Sequence, residues 1–122
     1  MRLPIAAAVL LMAATASAQT PRTLDQFVTE ANRVPLNPTS AFRSDARRLM
    51  REFSTSMSVV SERLEADRAA GRTPAACPPE RIQLNPRELL AELNAIPQAR
   101  RARMSGSDGL QYWMAGRNPC GA

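Results

Sequence analysis

Seven apolar residues, Phe42, Ala46, Leu49, Phe53, Met57, Val60 and Leu64, follow one another at separations of three or four. That spacing keeps them on one face of an α-helix for about six turns. The chain is therefore expected to be built around one long helix, from Thr39 or Ser40 to Ala70, with Gly71 as its C-terminal stop. A face of that length needs covering along its whole extent, by the chain's other helices or in part by another molecule.

Helical punctuation continues on both sides, and no segment shows the sustained period-two alternation of a strand. Thr23-Leu24-Asp25-Gln26 has the spacing of a capping box. It opens a helix whose apolar stripe is Leu24, Phe27, Val28 and Ala31, and Pro35 and Pro38 break the chain after it. Beyond an irregular link from Arg72 to Leu84, Asn85 is a cap, Pro86 occupies the first helical position and Glu88 stands three after the cap. Leu89, Leu90, Leu93 and Ile96 form the buried face of that helix, and Pro97 opens a short helical turn to Arg103. A last helix, capped by Ser105 or Ser107 and stopping at Gly116, carries Leu110, Trp113 and Met114. The expectation is a small all-α domain of about four helices, one of them long.

The first residues read differently. Arg2 precedes an apolar run from Leu3 to Ala14, and Ala16-Ser17-Ala18 stands before Gln19, the order of a secretory signal with its cleavage site. Residues 1-18 are expected to be removed, leaving a single helical domain over 19-122 in the periplasm or outside the cell. The run is short for a membrane span, and no Cys near the cut offers a lipid attachment point, so no stable membrane anchor is expected after cleavage.

Without Arg2, 15 of the 16 basic residues remain against 11 acidic ones, a net charge of +4. Leu, Ile, Val and Phe make up only 18 of these 104 residues, a thin core that usually needs a covalent staple. Cys77 and Cys120 are the only cysteines, and in an oxidising compartment they are expected to pair. In the chain-entropy account, closing that loop is worth about 4 kcal/mol.

The chain contains neither His nor Lys. Ser-His-Asp, Ser-Lys and Cys-His nucleophiles therefore cannot be assembled from it, and neither can a Schiff base. Zinc sites normally draw on His or several Cys. The expectation is a protein without catalysis, metal or cofactor. The Arg100, Arg101 and Arg103 cluster is the densest basic feature and could grip carboxylates or phosphates through bidentate contacts. Nucleic acid is not the expected partner, because the basic excess is small for that class.

Tyr112 and Trp113, the only Tyr and Trp, point about 100° apart on one helix. Trp113 shares the stripe with Leu110 and Met114 and belongs in the core, which leaves Tyr112 as an interface anchor. Arg100, Arg101, Arg103 and Tyr112 are thus the expected partner-binding residues. Arg43, Arg47 and Arg51 form a competing row at the basic start of the long helix, where they oppose the helix dipole. Gly106-Ser107-Asp108-Gly109 reads as a turn, and Glu88 with Glu92 as a solvent-facing pair.

Cys77-Pro78-Pro79, then Asn85-Pro86-Arg87-Glu88-Leu89-Leu90, a proline-interrupted middle and a closing Asn118-Pro119-Cys120 together resemble the C-terminal half of the Tai-type immunity proteins. The resemblance spans about residues 77-120; the first half departs from it, with no Cys before Cys77. It implies a small exported helical protein that binds and blocks a cell-wall amidase effector delivered by type VI secretion. The leading expectation is accordingly a periplasmic protein that occludes a partner enzyme. The alternative is a periplasmic helical stress protein or chaperone, with the Met50 and Met57 side of the long helix as an adaptable client surface.

Overall fold

The structure is a computed structural model describing residues 22–121. The expected signal segment and the expected start at Gln19 lie outside the described residues. Helix α1 runs Leu24–Ala31, opened by the expected capping box: the Thr23 hydroxyl accepts from the Gln26 N–H, and the Gln26 side chain accepts from the Thr23 N–H. Leu24 and Val28 are fully buried, and Phe27 packs against the same core.

The long helix, α2, runs Ser44–Ala69 and starts later than Thr39 or Ser40. A separate 3₁₀ turn, Pro38–Phe42, occupies the preceding residues. Asn37 explains the break. Its side-chain oxygen accepts from the Ser40 N–H, and the Ser40 hydroxyl donates to the Pro35 carbonyl, so the turn is tied back to the connector rather than forward to the helix. Arg43 is extended between the two. Phe42, the first residue of the expected stripe, consequently falls outside α2 and is 83% exposed.

At its other end α2 stops as expected. Gly71 adopts φ +72, and the N–H groups of Gly71 and Arg72 donate to the carbonyls of Arg68 and Asp67. This is the Schellman arrangement, in which a glycine takes the left-handed conformation without a Cβ penalty.

Helix α3 runs Pro86–Ala95, with the Asn85 side chain accepting from the N–H groups of Arg87 and Glu88. Glu88 does not reach back to the cap as expected; it pairs with Arg117 at 3.0 Å. After Pro97 comes the single-turn α4, Gln98–Arg101. Helix α5, Gly106–Arg117, is capped by Ser105 rather than Ser107 and ends one residue beyond Gly116. The described residues thus form an all-α fold of five helices, with one isolated bridge between Thr23 and Ser105 in place of any strand. No helix among them is long and apolar enough to cross a membrane.

Helix α5 is the centre of the packing and touches α1, α2 and α3. Leu110, Trp113 and Met114 from α5 join Leu24 and Val28 from α1, Val60 and Leu64 from α2, and Leu89, Leu93 and Ile96 from the α3 region. Gly106 to Gly109, read from sequence as a turn, is the first turn of α5. Gly109 is needed there because a Cβ at that position would sit 2.6 Å from two carbons of the Leu24 side chain. Cys77 and Cys120 are bonded, and the Cys77 N–H donates to the Asn118 carbonyl at 2.8 Å, so the loop after α2 is fastened to the end of α5. Ala76, next to the bond, is fully buried.

Cover along α2 is uneven. Val60 and Leu64 are sealed in the core, Phe53 and Met57 lie partly buried at its edge, and Met50 is 61% exposed. Toward its N-terminal end Leu49 is buried, and α2 contacts the 3₁₀ turn and α1.

Candidate partner-binding surface

The four residues expected to form an interface are separated by the fold into three environments. Tyr112 projects from α5, half exposed, while the adjacent Trp113 is buried. Arg100, on α4, lays its guanidinium 5.3 Å from the centre of the Tyr112 ring, a cation–π contact that brings these two into one surface feature. Arg103 is exposed nearby in sequence, just past α4.

Arg101 points the other way. Its Nε donates to Asp25 at 3.1 Å, and its Nη1 donates to the carbonyls of Asn94 and Ile96 at 2.9 and 3.1 Å. With the side chain only 13% exposed, it joins α1 to the end of α3 and has its Nε and Nη1 donors occupied within the fold. Sequence treats RRAR as one cluster; the single turn of α4 turns Arg101 inward and leaves Arg100 and Arg103 outside.

Beside Tyr112 lies an open groove of about 280 Å³ lined by Ala75, Met104, Asp108, Gln111, Tyr112 and Ala115. Ala75, Met104 and Ala115 make the apolar part of its lining, and Asp108 and Gln111 the polar part. Arg63, from α2, donates from Nη1 to Asp108 at 3.0 Å and to Gln111 at 3.2 Å. Asp108 also closes the α5 capping box by accepting from the Ser105 N–H. That backbone bond first, and then the Arg63 guanidinium, hold the Asp108 carboxyl below the usual carboxylate range against a partial desolvation. Ala75, two residues before Cys77, is part of its lining, so the groove borders the loop that the disulfide fastens.

The competing row on α2 is also broken up. Arg43 precedes the helix and forks onto Asp45, whose carboxyl it holds below the usual range. Arg48 pairs with Glu30 on α1, and Arg22 pairs with Glu30 and Glu52. These pairs cross a wider open groove of about 790 Å³, in whose lining Arg33 has no ion-pair partner among the described residues. They also offset the dipole conflict expected from sequence, with Asp45 in the first turn of the helix. Arg47 and Arg51 remain exposed on the opposite flank. Of the two methionines expected to form a client surface, Met50 is exposed, whereas Met57 packs against the core.

Arg63 and Asp108 join the groove without being expected there from sequence. The Ser105-x-x-Asp108 spacing is a capping signature that also fixes where Asp108 points. Arg63 gives no such signal, because only the crossing of α2 and α5 brings it to the groove. Comparison with protein-family models, with curated proteins and with solved structures finds no match to this chain.

Proposed function

We propose that this is an exported, periplasmic binding protein that occludes a partner protein and performs no chemistry of its own. The observation that carries the reading is the Arg100–Tyr112 pair: an exposed aromatic ring held by a guanidinium beside a groove lined in part by Ala75, Met104 and Ala115. Tyr and Arg are the residue types that dominate interface energetics, above all where an apolar patch is rimmed by polar groups. The disulfide beside the groove supports the same reading, because a fastened surface loses less conformational freedom on docking. With no His or Lys in the chain, blocking by shape and charge is the simpler mode of action. The resemblance of residues 77-120 to the Tai-type immunity proteins makes a cell-wall amidase the first partner class to test.

The test is an inhibition assay. Purified disulfide-bonded protein is titrated into a type VI amidase effector acting on peptidoglycan, in parallel with Tyr112→Ala and Arg100→Ala variants. The expected result is stoichiometric inhibition by the parent and weaker inhibition by both variants at unchanged thermal midpoints. Full amidase turnover at saturating parent protein excludes the amidase. A failure of the parent to retain any periplasmic protein in a quantitative pull-down excludes the occluding role itself.

A further inference from the structure

The outward face of α2, turned away from the core, carries a charge order of its own. Arg47, Arg51, Ser54, Ser58, Glu62 and Glu65 are all exposed and lie within a strip about 80° wide on the helix. The strip runs from basic through uncharged to acidic. Among the charged residues of α2, Arg47, Arg51 and Glu62 are the three without an ion-pair partner among the described residues, and all three stand on this strip. Glu65 holds Arg68 one turn along, with its own side chain 74% exposed.

The order is symmetric about one level of the helix. Arg47 with Glu65, Arg51 with Glu62 and Ser54 with Ser58 share a midpoint at residues 56 to 57. A second α2, turned end for end about a twofold axis at that level, sets Arg47 against Glu65 of the second copy and Arg51 against Glu62 of the second copy, and each pair occurs twice. A parallel arrangement stacks arginine on arginine and glutamate on glutamate. Where the two helices cross, serines meet, so no unmatched charge is covered there. A foreign helix would have to carry acid opposite one end and base opposite the other at the same spacing. This chain already supplies that pattern to itself.

We infer that α2 pairs antiparallel with α2 of a second copy through this outward strip, giving a weak symmetric dimer. Exposed ion pairs are individually small, so the association is reversible and sensitive to salt. No residue of the strip lines the Tyr112 groove, and each copy keeps its own groove.

The test is sedimentation velocity of the disulfide-bonded protein over a concentration series at about 0.05 M salt. The parent is expected to shift from monomer toward dimer as concentration rises, and to return to monomer at about 0.5 M salt. Arg47→Glu/Arg51→Glu and, separately, Glu62→Arg/Glu65→Arg should each weaken self-association at least about tenfold at unchanged thermal midpoint. The fourfold exchange Arg47→Glu/Arg51→Glu/Glu62→Arg/Glu65→Arg reverses the strip but keeps its symmetry, and should restore the parent's dimer. Tyr112→Ala should dimerise as the parent does, which keeps this outcome separate from that of the occluding role. A monomer at every concentration up to about 1 mM, a dimer indifferent to both reversals or dissolved by Tyr112→Ala, or a fourfold variant that stays monomeric overturns the inference. So does a monomer that binds an acidic amphipathic peptide through Arg47 and Arg51, which would give the strip to another protein.

Discussion

Arg100 and Arg101 are neighbours in sequence with opposite duties. Arg101 satisfies Asp25 and two backbone carbonyls from a largely buried position. Arg101→Ala leaves those acceptors without their donor and is expected to cost about 1–3 kcal/mol of stability. Arg100→Ala, at an exposed site, should change stability by less than about 0.5 kcal/mol. Urea unfolding followed by the fluorescence of Trp113, the single tryptophan, reads both. Gly109 gives a second residue-level prediction. A methyl group there meets the Leu24 side chain within 2.6 Å on a fully buried contact, so Gly109→Ala should destabilise by about 1–3 kcal/mol through overpacking. The same substitution at Gly116, where nothing lies within 4 Å of an added Cβ, should be neutral or slightly stabilising, since alanine is the better helix former.

Helix ends in this chain were readable because each rests on a local hydrogen-bonding device. Thr23 with Gln26, Asn85 with Pro86, and Gly71 all act as their spacing implies. The start of α2 was not readable, because Asn37 caps a turn of its own and the choice between continuing and breaking depends on the Ser40 bond to Pro35. The role of Gly109 was also hidden: Gly-Ser-Asp-Gly is turn chemistry until Leu24 arrives from 85 residues away. Tyr112 against Trp113 was settled by helical spacing alone, whereas the inward turn of Arg101 needed the tertiary position of Asp25.

The α5 cap carries an element-level prediction. Because the folded-state pKa of Asp108 is depressed, its contribution is fully present above the ordinary Asp value of about 3.9 and is lost as pH falls through the lower folded value. Asp108→Asn should therefore be less stable than the parent near neutral pH, and the gap should close as pH drops below about 4. Thermal midpoints across that range check it.

At the scale of the whole molecule, a thin apolar core and one covalent bond share the work. The loop between Cys77 and Cys120 has a sequence separation of 43, so Cys77→Ala/Cys120→Ala is expected to lose about 4 kcal/mol in the chain-entropy account, measurable by the same urea unfolding. The bond fastens the wall of the Tyr112 groove to the end of α5, which couples the stability of the fold to the rigidity of the proposed binding surface.

The most direct measurement of the proposed role is a quantitative pull-down from a periplasmic extract with four baits, each paired with its thermal midpoint: the parent, Arg100→Ala/Tyr112→Ala, Arg101→Ala and Arg47→Glu/Arg51→Glu. The expected result is one enriched partner that depends on Arg100 and Tyr112 at parental stability and survives the α2 substitutions. Arg101→Ala should lower the midpoint. The same partner retained in full by Arg100→Ala/Tyr112→Ala, or lost only from baits whose midpoints have dropped, would contradict it.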